Sequence, residues 1–187
     1  MSVLRINVVD RRFILAIAVV LLVCCASCSP SVDGQANIAE TEPTAGQWSN
    51  YEGAWFTVEY PPSFDVVPSL KSDDTEGFDS VFFEAPDSAA RFYVLSPQWG
   101  RAAVDVSIEP DVEIELDSNR QFIDEQERVT TTIHARDGSY TRSVEEYREQ
   151  DGAVYWVFEF SYANEVERER YAPSFERFKA SLKQYSD

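Results

Sequence analysis

Residues 153–161 read Ala-Val-Tyr-Trp-Val-Phe-Glu-Phe-Ser, and Glu159 is the only charged residue among them. β-Branched and aromatic side chains fit a pleated, packed surface. The stretch follows Asp151-Gly152, a pair suited to a tight hairpin turn. Apolar side chains point to both faces until Glu159, which predicts a central strand covered on both sides. A strand of a two-sheet sandwich is the alternative. A chain built on such a strand must cover two sheet faces, and that cover has to come from the rest of the sequence.

Residues 56–60 alternate Phe, Val and Tyr with Thr and Glu, giving a strand with one buried face that Pro61-Pro62 ends. A polar loop follows over 63–77. The strand pattern returns over 78–84 with Val81, Phe82 and Phe83, and again over 91–95. Between them, Asp87 is placed to start a turn through its own side chain. In the loop Ser96-Pro-Gln-Trp-Gly100, Trp99 either plugs the end of a core or lines a recognition pocket, the plug being the commoner use. Residues 103–108 alternate as a strand, and Pro110 breaks them.

Residues 118–127 read as a short helix with Phe122 and Ile123 on one face and Asp117 or Ser118 as its cap. Residues 129–134, 139–147 and 154–161 form a three-strand meander. Arg142, Glu145 and Arg148 predict a wet face on its middle strand. Asn164 and Glu167 have capping-box spacing and start a short helical turn. The terminal helix spans 172–184 with Pro173 in its first turn. Phe175, Phe178 and Leu182 share one face, and Lys179 and Lys183 lie at the favourable C-terminal end.

Arg5, Arg11 and Arg12 precede eleven apolar residues, 13–23, which is signal-peptide length and too short to span a bilayer. The end of this run resembles a bacterial lipobox. Cys28 fits as the lipidated residue, with Ala26 and Ser27 before it; Cys25 stands where the pattern prefers Leu. Plain secretion and a retained anchor are the alternatives. Residues 28–47, rich in Ser, Gly, Thr, Glu, Pro and Ala, read as a flexible tether. Ser29 and Ser31, with no Asp at the second mature position, resemble outer-membrane sorting. The organisation expected is a lipoprotein signal peptide (1–27), a tether (28–47) and one α+β domain (48–187).

A formal charge of −17, from 33 acidic and 16 basic residues, disfavours nucleic acid and anionic lipid as partners. All three cysteines lie at 24–28, so the domain has no disulfide or thiolate site. His134 is the only histidine, which rules out a Cys/His zinc site within one chain. There is no Gly-x-Ser-x-Gly and no phosphate-cradling glycine motif. These absences predict a non-catalytic protein without a cofactor; an enzyme would need a cleft around His134. In an extended chain Asp111, Glu113, Glu115 and Asp117 form a row of carboxylates opposite Val112, Ile114 and Leu116. The row lacks a glycine-bearing calcium motif and reads first as a solvated strand face.

Phe56-Thr-Val-Glu-Tyr-Pro-Pro62, with Phe64 after it, resembles the opening strand of the PsbP-like family. Phe82-Phe83 with Pro86 resembles its second strand. Residues 155–162, followed by Tyr171, Phe175, Phe178 and Ser181-Leu182, resemble its closing strand and terminal helix. That family includes extrinsic proteins of photosystem II, a nuclear import factor that binds the Ran GTPase, and many bacterial exported proteins. The resemblance implies an α+β fold in which an antiparallel sheet is sandwiched between helices, an α/β/α arrangement. An all-β sandwich with one appended helix is the alternative. No functional residue carries over: the photosystem contacts find no match, and the nuclear role conflicts with a signal peptide. The expected function is an envelope-anchored binding or assembly module with a protein partner, Trp99 and Tyr162 being candidate contacts. A periplasmic carrier of a small ligand or calcium, using the acidic row, is the alternative.

Overall fold

A computed structural model describes residues 47–123, 126–149 and 155–185. Seven strands, β3 (Asp65–Pro68), β4 (Ser80–Glu84), β5 (Ala90–Leu95), β6 (Glu113–Ile123), β7 (Gln126–Ala135), β8 (Thr141–Glu149) and β9 (Tyr155–Tyr162), build one sheet. Its order is β3-β4-β5-β9-β8-β7-β6, every pairing antiparallel. Three shorter strands, β1 (Ser49–Glu52), β2 (Phe56–Tyr60) and β10 (Lys183–Gln184), form a second antiparallel sheet in the order β1-β2-β10. The single helix among the described residues, α1 (Glu165–Ala180), packs against β2, β5 and β9. The fold is α+β, one helix against two antiparallel sheets.

The aromatic stretch is central, as its two-faced apolar pattern requires: β9 lies between β5 and β8. The Asp151-Gly152 turn before it lies outside the described residues. On one face of the large sheet, Phe158 and Phe160 join Phe83, Phe92, Phe56 and Val58 under Phe175 and Phe178 of α1. On the other, Tyr93, Leu95, Ile133, Val144 and Val157 are covered by Val106. Val106 belongs to residues 96–112, an irregular layer with a single 3-10 turn at Val104–Val106. The alternation over 103–108 therefore does not make the expected strand. Arg142 takes the carbonyls of Val106 and Ser107, which a sheet ladder would otherwise need.

Residues 118–127 are not a helix. They continue β6 to Ile123, and β7 starts at Gln126. Phe122 lies across from Glu127 and Ile123 from Gln126, so the two apolar residues point to opposite faces. A helix would need an apolar stripe at spacings of three and four, and an adjacent pair supplies none.

The capping box at Asn164 starts the main helix rather than a separate turn: the Asn164 side chain accepts from the Glu167 amide at 3.2 Å. Pro173 is consequently inside α1, not in its first turn. It is exposed, as is Glu169, whose carbonyl loses its helical partner to the proline. The helix also ends earlier than its apolar spacing suggested. The Ser181 hydroxyl donates to the Phe178 carbonyl at 2.7 Å and accepts from the Glu59 amide at 2.8 Å. Lys183 and Gln184 then pair with Thr57 and Phe56 as β10. Phe175 and Phe178 are buried, and half-buried Leu182 packs on the same core from beyond the helix end.

Candidate functional site

Glu159, the one charge in the aromatic strand, is fully buried. A buried carboxylate requires a buried counter-charge, and the opposing β8 strand provides it. Arg142 Nη1 donates to Glu159 Oε2 at 2.9 Å and to the Val106 carbonyl at 2.8 Å. Its Nε and Nη2 grip Glu113 in a bidentate pair at 2.8 and 2.7 Å, and Nη2 also reaches the Ser107 carbonyl at 2.9 Å. All five N–H groups of the guanidinium are used. Glu113 is filled as well: it accepts from Tyr140 Oη at 2.7 Å and from the Glu109 amide at 2.8 Å. Arg91 Nη2 meets the other oxygen of Glu159 at 3.0 Å, and its guanidinium lies 4.5 Å from the centre of the Phe82 ring.

The sequence pattern predicted a wet face on β8, and the structure corrects it. Arg142 and Glu145 are both buried, on opposite faces of the strand. Glu145 receives Arg128 Nη2 at 2.8 Å, Lys179 Nζ at 3.0 Å and Tyr147 Oη at 2.6 Å. This second network ties α1 to the sheet. Burial opposes charge on Glu145, yet the Tyr147 hydrogen bond and the Lys179 ammonium outweigh it and hold its pKa below the ordinary value.

The Arg142 network floors a polar cleft of about 510 Å³, with Glu84, Ser88, Glu109 and Tyr162 around it. Hydrogen bonds from Arg142 outweigh the cost of burial and lower the Glu113 pKa to about 2, while burial first, and then the bond to Glu113, push Tyr140 up to about 12. Groups held so far from neutral pH, with their donor and acceptor positions occupied, pin residues 106–113 to the sheet and are poorly suited to proton transfer.

Acid should weaken this network. A carboxylate with a lowered folded pKa contributes its full stability above its ordinary pKa of 4.5 and loses it as the pH falls towards 2. Glu113→Gln should therefore be less stable than the wild type at neutral pH by about 3 kcal/mol, and the gap should close between pH 4.5 and 2. Urea unfolding of both proteins across that range measures it. A gap independent of pH would remove Glu113 from the account.

The acidic row does not form. Glu113 is committed to Arg142, and Asp111 precedes β6. Glu115 lies across from Ile133, but Leu116 has no partner in β7, and Asp117 pairs with Thr132. This one-residue bulge breaks the alternation that would have aligned the carboxylates. Among the described residues no group of three or more His, Cys, Asp or Glu is arranged to hold a metal ion. His134 is half-buried, its Nδ1 lying 2.8 Å from Thr141 Oγ1, and it does not line the cleft.

Trp99 does not plug the core: it is 68% exposed. Tyr162 is half-buried, its ring 5.1 Å from that of Phe160, and sits at the cleft rim. Tyr162 lies across from Ala90 at the start of β5, whereas Trp99 follows Leu95 at its end. The two candidate contacts therefore belong to opposite ends of β5. Cys28, the expected lipidation site, lies outside the described residues.

The feature sequence reasoning missed is the length of β6: the strand face expected over 111–117 runs on to Ile123 through residues expected to be helical. β6 is an edge strand of eleven residues, ten of them exposed. Leu116 is 59% and Phe122 69% exposed, and Ile114 and Ile123 are exposed too. Its outer side has no strand partner among the described residues. The opposite edge, β3, has four residues and closes with Pro68, the usual way of blunting an edge. A signal was present in the sequence: Ile114, Leu116, Phe122 and Ile123 are apolar residues for which no helical face accounts.

No family model matches the chain, and no curated protein matches it. Among solved structures, the solution structure of cyanobacterial PsbP from Synechocystis sp. PCC 6803 is similar at 13% identity and a TM-score of 0.46, covering 83% of this chain and 98% of that one. A crystal structure from Bacteroides thetaiotaomicron VPI-5482 is similar at 16% identity and a TM-score of 0.41; it covers 76% of this chain, which spans 49% of that protein.

Proposed function

We propose that this protein is a lipid-anchored, non-catalytic binding module of the bacterial envelope that holds a protein partner along the outer edge of β6. The observation that carries this reading is the long, exposed edge with four large apolar side chains. Such edges are templates for another chain unless they are short or covered, and beyond the bulge at Leu116 residues 117–123 pair with β7 without a break. The self-satisfied Arg142 network beneath the cleft supports a binding role over catalysis. The lipobox-like sequence at Cys28 and the tether over 28–47 support attachment to the periplasmic face of the outer membrane.

Crosslinking in intact cells, with mass spectrometry of what is captured, tests this reading. The wild type should capture one envelope protein reproducibly. A Leu116→Asp/Phe122→Asp variant should lose it while keeping the wild-type melting temperature, since both side chains are exposed. Cys28→Ser should leave the domain folded but release it from the membrane fraction. Capture that survives the β6 substitutions but is lost in Trp99→Ala would move the contact to the Trp99 loop. Absence of any captured protein would remove the binding-module reading.

A further inference from the structure

The two faces of the large sheet are covered by different means. On one, α1 and β2 contribute the buried side chains Phe175, Phe178, Phe56 and Val58. On the other, only Val106 is buried among residues 97–108, while Trp99 and Val104 point into solvent. Both ends of this segment are fixed. Ser96 is fully buried and its amide donates to the Asp79 carbonyl at 2.9 Å; the Glu109 carbonyl accepts from the Val112 and Glu113 amides at 3.0 and 2.8 Å. Between these points no backbone-to-backbone hydrogen bond joins 97–108 to the sheet among the described residues. The ties are made by side chains. Arg101 Nη1 donates to Asp79 Oδ2 at 2.8 Å and to the Lys71 carbonyl at 2.9 Å. Asp105 Oδ2 accepts from Ser80 Oγ at 2.7 Å and from Tyr93 Oη at 3.2 Å. Arg142 reaches the Val106 and Ser107 carbonyls. The segment also separates two clefts, and Ser107 lines both: the polar one of about 510 Å³, and another of about 340 Å³ along Val104, Ile108, Ile133, Val144 and Tyr155.

We propose that residues 97–108 are a strap that lifts from the sheet as a unit while the rest of the domain stays folded, joining the two clefts into one trough floored by Tyr93, Val144 and Val157. The strap is independent of the partner held along β6. Apolar cover sets much of the cost of opening a layer. Here it comes from one buried valine and two half-buried side chains, Ala103 and Ile108. The side-chain bonds are exchanged for bonds to water on lifting, so each adds little net cost. Arg142 keeps its ion pairs in the open form, because Glu113 and Glu159 belong to β6 and β9 and not to the strap. It loses only the two carbonyls. Opening the opposite face is far more costly, since the rings of Phe175 and Phe178 must leave those of Phe92, Phe158 and Phe160.

The three cysteines all lie at 24–28, so the full chain carrying Cys24→Ser, Cys25→Ser and Cys28→Ser has no thiol and accepts one reporter. Val157→Cys and Val94→Cys place that reporter at fully buried positions on the paired strands β9 and β5, the first on the strap side and the second on the α1 side. Labelling by an aromatic disulfide reagent in native buffer should be at least about tenfold faster for Val157→Cys, with a weak dependence on urea. Val94→Cys should react only with the steep urea dependence of global unfolding. Adding Val106→Ala should speed the Val157→Cys reaction about tenfold. Adding Lys179→Met, which cuts the tie between α1 and Glu145 of β8, should leave that reaction unchanged. Equal rates at the two reporters, the same steep urea dependence at both, or indifference to Val106→Ala would each overturn the strap. So would acceleration by Lys179→Met, because β8 would then be peeling from β9. If either valine variant melts well below the wild type, Ile133→Cys and Val81→Cys repeat the comparison on the same two sides. None of these outcomes bears on capture through β6, so the strap and the binding-module reading stand or fall separately.

Discussion

Arg142→Met is expected to destabilise the domain by about 3–5 kcal/mol, the range for breaking a buried ion pair by removing one partner. Methionine roughly fills the volume, so the loss is electrostatic more than a cavity effect. Glu113 and Glu159, both buried, would lose their shared cation, and the carbonyls of Val106 and Ser107 would lose their donor. Arg142→Lys keeps the charge but offers three donors where five are used. It should recover only part of the loss, and it should leave the amides of residues 104–107 exchanging faster than in the wild type. Replacing Arg142, Glu113 and Glu159 together by apolar residues of similar volume should be milder than Arg142→Met alone, because no uncompensated buried charge remains. Urea unfolding followed by tryptophan fluorescence measures all three. A change under 1 kcal/mol for Arg142→Met would mean that the network does not hold the irregular layer to the sheet.

Phe178→Ala should cost a similar amount, about 3–5 kcal/mol, by a different mechanism. Phe178 is fully buried, and its ring lies 5.3 Å from that of Phe83, 5.4 Å from Phe92 and 5.8 Å from Phe158. These rings come from β4, β5 and β9, so one truncation opens a cavity under α1 where three strands converge. Val166 is on the same helix and 72% exposed. Val166→Ala should change stability by less than about 0.5 kcal/mol. Comparable losses at the two positions would contradict the packing of α1 described above.

The apolar skeleton was legible in the sequence because each part of it is local. Residues 155–162 announce a covered strand by composition alone, and Phe175 and Phe178 announce a helix face by spacing. The polar core was not legible in the same way. Arg142 lies 29 residues from Glu113 and 17 from Glu159, so nothing nearby marks it as buried, and its charge resembles that of a wet strand. A clue was available in Glu159: a lone carboxylate in a strand covered on both sides demands a cation on a neighbouring strand. The second half of β6 was hidden for the opposite reason. Its polar residues 117–121 face solvent, so no burial pattern distinguishes strand from helix there, and pairing with β7 decides. The bulge at Leu116 was equally invisible, since the alternation of residues 111–117 predicts an unbroken row.

Amide hydrogen exchange over β6 tests the open edge most directly. In the protein alone, the amides of β6 that are not bonded to β7 should exchange rapidly, while those of β9 are protected. Adding the envelope partner captured in cells should slow the outward β6 amides and leave β3 unchanged. A partner held along β6 would be contradicted by protection appearing at β3 or around Trp99 instead, or by outward β6 amides already protected in the protein alone.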